Sequence, residues 1–286
     1  MIVVTGATGP FGRTVVESLI ARGVPASDIR AGGRDPERLA ALKDLGVDAV
    51  ELDYDRPETV QAAVEGADQV LLVSGSEVGK RVPQHRAVLE AAAAAGVEHV
   101  AYTSVLHADT TTLAVAPDHR ATEDAVRELG LTATLLRNGW YSENYLATLD
   151  QARATGEVVT AAGDGRVASA ARADYAEAAA AVLADPALQG RTYELSGDVA
   201  WSFGDLAATV GDVLGREVAL RSVEPDEYRA NLTAGGLDAG LVEFLVGMDV
   251  SIRDGELADT TGDLSRLLGR PTTPLADTLR DATSAG

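Results

Sequence analysis

IVVTGATGPFG, residues 2–12, is the stretch on which the fold turns. Ile2, Val3 and Val4 form a short apolar run that breaks directly into glycines at 6, 9 and 12. Such a run suits a buried parallel strand. Phe11, Val15, Val16, Leu19 and Ile20 then repeat at helical spacing, and Pro10 sits where a first-turn proline is tolerated. The spacing is G-x-x-G-x-x-G between a strand and a helix. Gly6 permits a tight turn, Gly9 lets a pyrophosphate approach the backbone, and Gly12 lets the helix pack close to the strand. The helix N-terminus then offers free N–H groups and a positive dipole end to an anion. Thr8, Pro10 and Phe11 complete this cofactor turn. Unrelated glycines in a flexible turn are the alternative, but the strand-before, helix-after context is what the dinucleotide motif requires.

Working outward, the same alternation continues. Strands are expected over 28–32, 47–52, 69–73, 98–103 and 132–136, with helices over 36–45, 57–64, 82–95 and 118–129. This rhythm predicts an α/β chain: a Rossmann-like doubly wound parallel sheet, with ligands at the C-terminal ends of the strands. Beyond residue 138 the rhythm loosens. A helix over 173–183 and a strand over 192–195 return to the sheet layer. A helix over 203–214, a strand over 218–223 and helical pieces over 225–248 suggest a smaller C-terminal α/β substrate lobe. The expected division is therefore 1–137, with 165–198 returning to it, as an NADP-binding domain, and 138–164 with 199–286 as a substrate-binding lobe.

Composition narrows the function. Of 286 residues, 46% are hydrophobic, enough for a substantial core, and the formal net charge is −20. Phosphate backbones repel so acidic a chain unless it carries a basic stripe. Lys43 and Lys80 are the only lysines and the arginines are scattered, so no nucleic-acid partner is expected. No run of eighteen apolar residues predicts a membrane span, and no signal peptide is expected at the N-terminus. Cysteine is absent, which fits a cytoplasmic protein. No metal-ligating set is apparent.

The second strand ends Gly32-Gly33-Arg34-Asp35. An acid at this position would bind the ribose 2′-hydroxyl of NAD, and an arginine suits the 2′-phosphate of NADP. Both are present. Arg34 favours NADP(H) over NAD(H), although an ordinary surface arginine is the alternative. Asp53, beside Tyr54, is placed to border the adenine or simply to begin a loop. Ser74, Gly75 and Ser76, after the fourth strand, and Thr103 and Ser104, at the fifth, are expected near the nicotinamide half.

A strand-first T-G-x-x-G-x-x-G turn resembles the short-chain dehydrogenase/reductase superfamily, whose ordinary members use Tyr-x-x-x-Lys as proton donor and pKa-lowering partner. Four residues before the two lysines stand Leu39 and Ser76, so the pair is absent from this sequence. The corresponding stretch reads His119-Arg120-Ala121-Thr122-Glu123. A ketone reduced by hydride becomes a basic alkoxide that needs a strong local acid. A quinone spreads the charge over a ring and tolerates weak donors or water. Electron-poor acceptors thus fit a site in which the cofactor supplies reactivity and the protein supplies position.

TGATGPFG at 5–12, SGSEVGKRVPQHRAV at 74–88, YTSVLHADTT at 102–111 and LRNGWYSENY at 136–145 carry a more specific resemblance. AAGDGRVASAARADYA at 161–176 and LLGRPTTPLADTL at 267–279 extend it over essentially the whole chain. The sequence resembles the NmrA-like atypical short-chain reductases, and within them the bacterial type 2 NAD(P)H:quinone oxidoreductases. That resemblance implies flavin-independent reduction of small quinones by NADPH, with the acceptor between the sheet edge and the C-terminal lobe. It makes Asn138 the candidate to hydrogen-bond a quinone oxygen or the nicotinamide, with Trp140 and Tyr141 lining the pocket and His107 near its mouth. An aromatic pair that packs the lobe, and an asparagine that caps the following turn, are the alternatives. Gly75 departs from relatives with serine there. His119 is the remaining tempting group, though a lone helical histidine is more often structural. A homodimer is compatible with the resemblance. Two rival functions stay open: a redox sensor that binds NADP(H) without turnover, and a reductase of another electron-poor acceptor such as a triarylmethane dye.

Overall fold

The computed structural model describes residues 1–284 except 76 and 78. The chain runs β1 (Ile2–Val4), α1 (Pro10–Ala21), β2 (Ile29–Gly33), α2 (Pro36–Lys43), β3 (Asp48–Glu51), α3 (Pro57–Val64), β4 (Gln69–Leu72), α4 (Arg81–Ala94), β5 (His99–Val105), α5 (Ala116–Glu128) and β6 (Ala133–Asn138). It continues through α6 (Leu146–Thr155), β7 (Glu157–Thr160), β8 (Arg166–Val167), α7 (Arg172–Ala184), β9 (Thr192–Leu195), β10 (Trp201–Ser202), α8 (Phe203–Leu214) and β11 (Ala219–Ser222). The helices α9 (Pro225–Ala234), α10 (Ala239–Arg253), α11 (Asp263–Leu268) and α12 (Leu275–Ser284) complete it.

Seven strands form one sheet in the order β3-β2-β1-β4-β5-β6-β9, and every pairing in it is parallel. Val4 pairs with Ala31 on one side and Leu71 on the other. The order reverses between β1 and β4, the switch point where such sheets bind ligands. The central strands are apolar along their length, as burial on both faces requires; Val3, Val4, Leu71, Leu72, Val100 and Ala101 are fully buried.

Two strands run past their apolar pattern. The periodicity ends at Leu136, yet β6 continues through Arg137 and Asn138. Arg137 is buried and bonded to Glu123 at 2.8 and 3.0 Å and to Glu194 at 2.8 Å. Paired charge thus extends the strand where hydrophobicity stops. Likewise β5 runs to Val105, with the Ser104 hydroxyl donating to Glu123 at 2.6 Å.

The chain divides into two compact units. The first holds Met1–Asp109, Pro117–Asn138 and Ala173–Leu195, and the second Thr110–Ala116, Gly139–Arg172 and Ser196–Gly286. In the second unit β7 pairs with β11 in parallel and β8 with β10 in antiparallel fashion. Ser202 and Asp205 form a capping box on α8, and Gly215 in the left-handed region (φ 65°) closes that helix, as such caps do. The helical stretch expected after residue 225 is broken between α9 and α10, where Asp238 caps α10 by accepting from Gly240 and Leu241 N–H. Among the described residues no helix is long and apolar enough to cross a membrane.

Candidate active site

The glycine turn is built as the sequence requires. Gly6 has φ 60°, a conformation costly for any residue with a Cβ. Its carbonyl accepts the Gly9 N–H at 2.9 Å. A Cβ on Gly12 would lie 2.5 Å from the Gly6 carbonyl oxygen, and one on Gly33 would lie 2.4 Å from the Thr8 methyl. No side chain caps α1, which begins at Pro10 behind Gly9, and no acid lies in its first turn. The helix dipole and its N–H groups therefore face an uncluttered turn. Phe11 is buried beneath it and Pro10 is exposed.

Arg34, just past β2, is exposed and pairs with Glu77 at 3.0 Å. Glu77 also pairs with Lys80 at 3.1 Å, and these cations hold its carboxyl below the usual range. The neighbouring Asp35 is committed elsewhere: it caps α2, accepting from Glu37 and Arg38 N–H at 3.0 and 3.1 Å. Arg38, which sequence reasoning did not single out, reaches back to donate to the Thr8 carbonyl at 3.0 Å. Two arginines thus flank the turn where one was expected.

Tyr54 ties strand ends together. Its hydroxyl donates to the Val73 carbonyl at 2.8 Å and lies 2.5 Å from Thr5 Oγ1, which accepts the Val73 N–H at 2.9 Å. Burial raises its pKa, so the phenol keeps its proton. Asp53 starts a loop: its carboxylate accepts the Asp55 N–H at 3.1 Å. Ser74 N–H donates to Thr103 Oγ1 at 2.8 Å. Gly75 is held from two sides, its N–H donating to His85 Nε2 at 2.9 Å and its carbonyl accepting from Arg81 Nε at 2.7 Å. Ser76 lies outside the described residues. Ser104 faces α5, where its hydroxyl is engaged by Glu123.

Behind this edge lie two buried histidines. His85 Nε2 accepts from Gly75, so its proton is on Nδ1, facing Thr122 Oγ1 at 2.9 Å, and Thr122 donates onward to the Asp118 carbonyl at 2.9 Å. His119 Nδ1 lies 2.7 Å from the Tyr102 hydroxyl. Burial raises the pKa of that phenol, so Tyr102 donates and the imidazole proton sits on Nε2. Burial, with nearby Arg81, pulls both imidazoles down to about 3. They are neutral near pH 7.

His107 adopts φ 51°, among the described residues the single non-glycine with positive φ, a conformation that stores strain. Its N–H donates to Glu194 at 2.7 Å. Asn138 ends β6 with its Oδ1 buried and unpartnered. In the second unit, Trp140 and Tyr141 follow at once. The Trp140 carbonyl accepts the Ala170 N–H at 3.2 Å, and the Arg172 guanidinium lies over the Tyr141 ring, 5.3 Å from its centroid. Among the described residues no cluster of His, Cys, Asp and Glu is arranged to hold a metal ion.

The parallel sheet, its switch point and the glycine cradle define a Rossmann-type dinucleotide-binding protein. A family model described as NAD(P)H-binding matches residues 6–186. Quinone oxidoreductase 2 of Escherichia coli is 46% identical over 98% of this chain and 97% of its own length. A crystal structure described as the NADPH-dependent quinone oxidoreductase of that organism complexed with NADPH superposes with a TM-score of 0.95, covering 99% of this chain and 100% of that one. An NmrA-like family domain-containing oxidoreductase of Aspergillus flavus is 32% identical over 97% of this chain and 93% of its own. The triphenylmethane reductase of a Citrobacter species, complexed with NADP(H), is 35% identical with a TM-score of 0.93, covering 99% of this chain and all of that one. The chain belongs to the NAD(P)H-binding, NmrA-like family of oxidoreductases.

Proposed function

We propose that this chain reduces small quinones with NADPH, directly and without flavin or metal. The observation that carries the cofactor assignment is the turn itself: Gly6 bends at φ 60°, and α1 opens behind Gly9 with no side-chain cap and no acid in its first turn, which leaves its N–H groups and dipole for a pyrophosphate. Arg34 and Arg38 would hold the 2′-phosphate. Asp35 gives Oδ1 to the α2 cap and pairs through Oδ2 with Arg38 at 3.3 Å, which sets it against the ribose hydroxyl that NAD presents and supports NADPH. NADPH, when bound, supplies the hydride.

The chain's own residues position and hold. The helix α1 N-terminus and Thr8 bind the pyrophosphate. Thr103 and the main chain of Ser74 and Gly75, fixed by His85 and Arg81, shape the nicotinamide end. Asn138 offers its buried, unpartnered Oδ1 to an N–H of the nicotinamide carboxamide, since buried polar atoms are normally satisfied, and its amide N–H is the end that would donate to an acceptor oxygen. Trp140 and Tyr141 shape the acceptor side of the second unit. With no Tyr-x-x-x-Lys, water protonates the product, a weakly basic hydroquinone oxygen.

The match to the Citrobacter reductase favours a second reading, a cationic triarylmethane dye as acceptor, whose central carbon needs hydride alone. Rates of NADPH oxidation with 1,4-benzoquinone, a triarylmethane dye and a simple ketone separate the cases, using flavin-stripped protein in a chelator. The expected order places the quinone first and the ketone at background. A dye rate far above the quinone rate would shift the assignment, and NADPH binding without any turnover would leave a sensor.

A further inference from the structure

In the second unit the Tyr145 ring is clamped by aromatic neighbours while its hydroxyl has no partner. The ring meets Trp201 edge-on at 4.8 Å and Phe203 at 6.2 Å. Trp201 is itself fixed, its indole N–H donating to Ser169 Oγ at 3.0 Å, and Ser169 lies 2.9 Å from Ser142 Oγ. The ring therefore cannot swing to find a partner. The hydroxyl is buried and completes no hydrogen bond, a state that is costly in a protein interior.

Its polar neighbours are informative. Burial and the charge of Asp249 raise the Tyr145 pKa well above that of an ordinary phenol, Tyr228 adds to the rise, and the Trp140 indole N–H, close enough to act as a donor to the phenol oxygen but unable to accept its proton, opposes it. Tyr228 is shifted upward by burial and by the same Asp249. Asp249 is buried and holds Ala161 N–H at 2.7 Å and Thr160 Oγ1 at 2.8 Å, both through Oδ2. A protonated, rigidly placed phenol beside a half-buried tyrosine and a tryptophan is a hydrogen-bond donor awaiting an acceptor. The other unpartnered buried atoms differ: Asn138 Oδ1 is an acceptor at the end of β6, His99 Nδ1 is at the N-terminal end of β5, away from the ligand edge, and Thr278 Oγ1 lies on α12.

We propose that the Tyr145 hydroxyl donates a hydrogen bond to one oxygen of the acceptor, in a subsite of the second unit lined by Trp140, Tyr228 and Asp249. This rests on the quinone reading above and names the residue that selects oxygen-bearing acceptors. The phenol keeps its proton, so it holds the oxygen and leaves protonation to water.

Tyr145→Phe tests it. The expected variant folds, with a melting temperature unchanged or raised by about 2–4 °C because an unsatisfied hydroxyl is gone. KM for 1,4-benzoquinone rises about 5- to 10-fold, while kcat, KM for NADPH and KM for a triarylmethane dye without ring oxygen stay within about twofold. An unchanged quinone KM in the folded variant overturns the proposal, as does an equal rise for the dye. If the native chain turns over no quinone, the function reading fails on its own. Calorimetric titration with hydroquinone then decides: weaker binding by Tyr145→Phe supports the subsite, and equal binding overturns it. Should Tyr145→Phe not fold, Tyr228→Phe reads the same subsite, with a KM rise of about 2- to 5-fold expected and no rise overturning it.

Discussion

Two regions of the molecule bury polar side chains in opposite ways. Around β5 and α5 of the first unit, the groups close on one another: Gly75 to His85 to Thr122 to Asp118, Tyr102 to His119, and Ser104 and Arg137 onto Glu123. In the second unit, Tyr145 is gripped by its ring and left open at its oxygen. Closed networks set geometry and hold the ends of β5 and β6 against α5. The open hydroxyl does nothing for the fold, and the proposed subsite is what would give it a partner. The difference teaches that burial alone does not distinguish a structural polar group from a binding one; partner accounting does.

The contrast can be broken by pH first. The first unit buries His85 and His119, pulled down to about 3, and His99, pulled down to about 4. Below the ordinary histidine value of 6.5 the unfolded chain binds protons that the folded chain refuses. Stability is therefore fully present above pH 6.5 and lost as pH falls from there toward 3. Each histidine contributes about 1.4 kcal/mol per pH unit within its window. Denaturant titrations at a series of pH values should show this slope, and His119→Gln should remove one proton from it. A flat stability between pH 6.5 and 4.5 contradicts neutral buried histidines.

Arg137→Met breaks the closed network itself. Glu123, nearly inaccessible, keeps only the Ser104 hydroxyl and a 3.5 Å pair with exposed Arg127, a loss of about 3–5 kcal/mol. Chemical denaturation should register it together with weakened NADPH binding, since β6 and β5 lose their shared anchor. A smaller pair of changes sharpens the comparison. Tyr102→Phe strips the donor from His119 and should cost about 1–3 kcal/mol, whereas Tyr145→Phe should cost nothing. Equal losses in the two variants would erase the distinction between the units.

Much of this was legible in the sequence, for identifiable reasons. The glycine spacing and the apolar alternation depend on local steric rules, so the parallel sheet and the cradle at Gly6, Gly9 and Gly12 could be read directly. Arg38 was not legible, because its role depends on the Thr8 carbonyl brought near by the α2 cap. Nor was the run of β6 through Arg137, which needs Glu123 and Glu194 from elements distant in the chain. At Asp53 and Tyr54 the sequence offers an adenine border or a loop entry; the tie of Tyr54 to Thr5 and Val73 has no local signature, because it needs β1 and β4 beside the loop. The LRNGWYSENY string drew attention to Trp140 and Tyr141, but Tyr145 becomes notable only when its missing partner is seen. Asp249 carries no local signature at all; its burial against Thr160 and Ala161 is purely tertiary.

The most direct test of direct hydride transfer to a quinone is a single turnover. Flavin-stripped protein preloaded with NADPH deuterated at the transferred position is mixed with 1,4-benzoquinone under anaerobic conditions. One NADP⁺ and one hydroquinone form per site, with oxidation slower for the deuterated than for the ordinary cofactor. NADPH that stays reduced in the presence of quinone, or is oxidised only after flavin is restored, would contradict it.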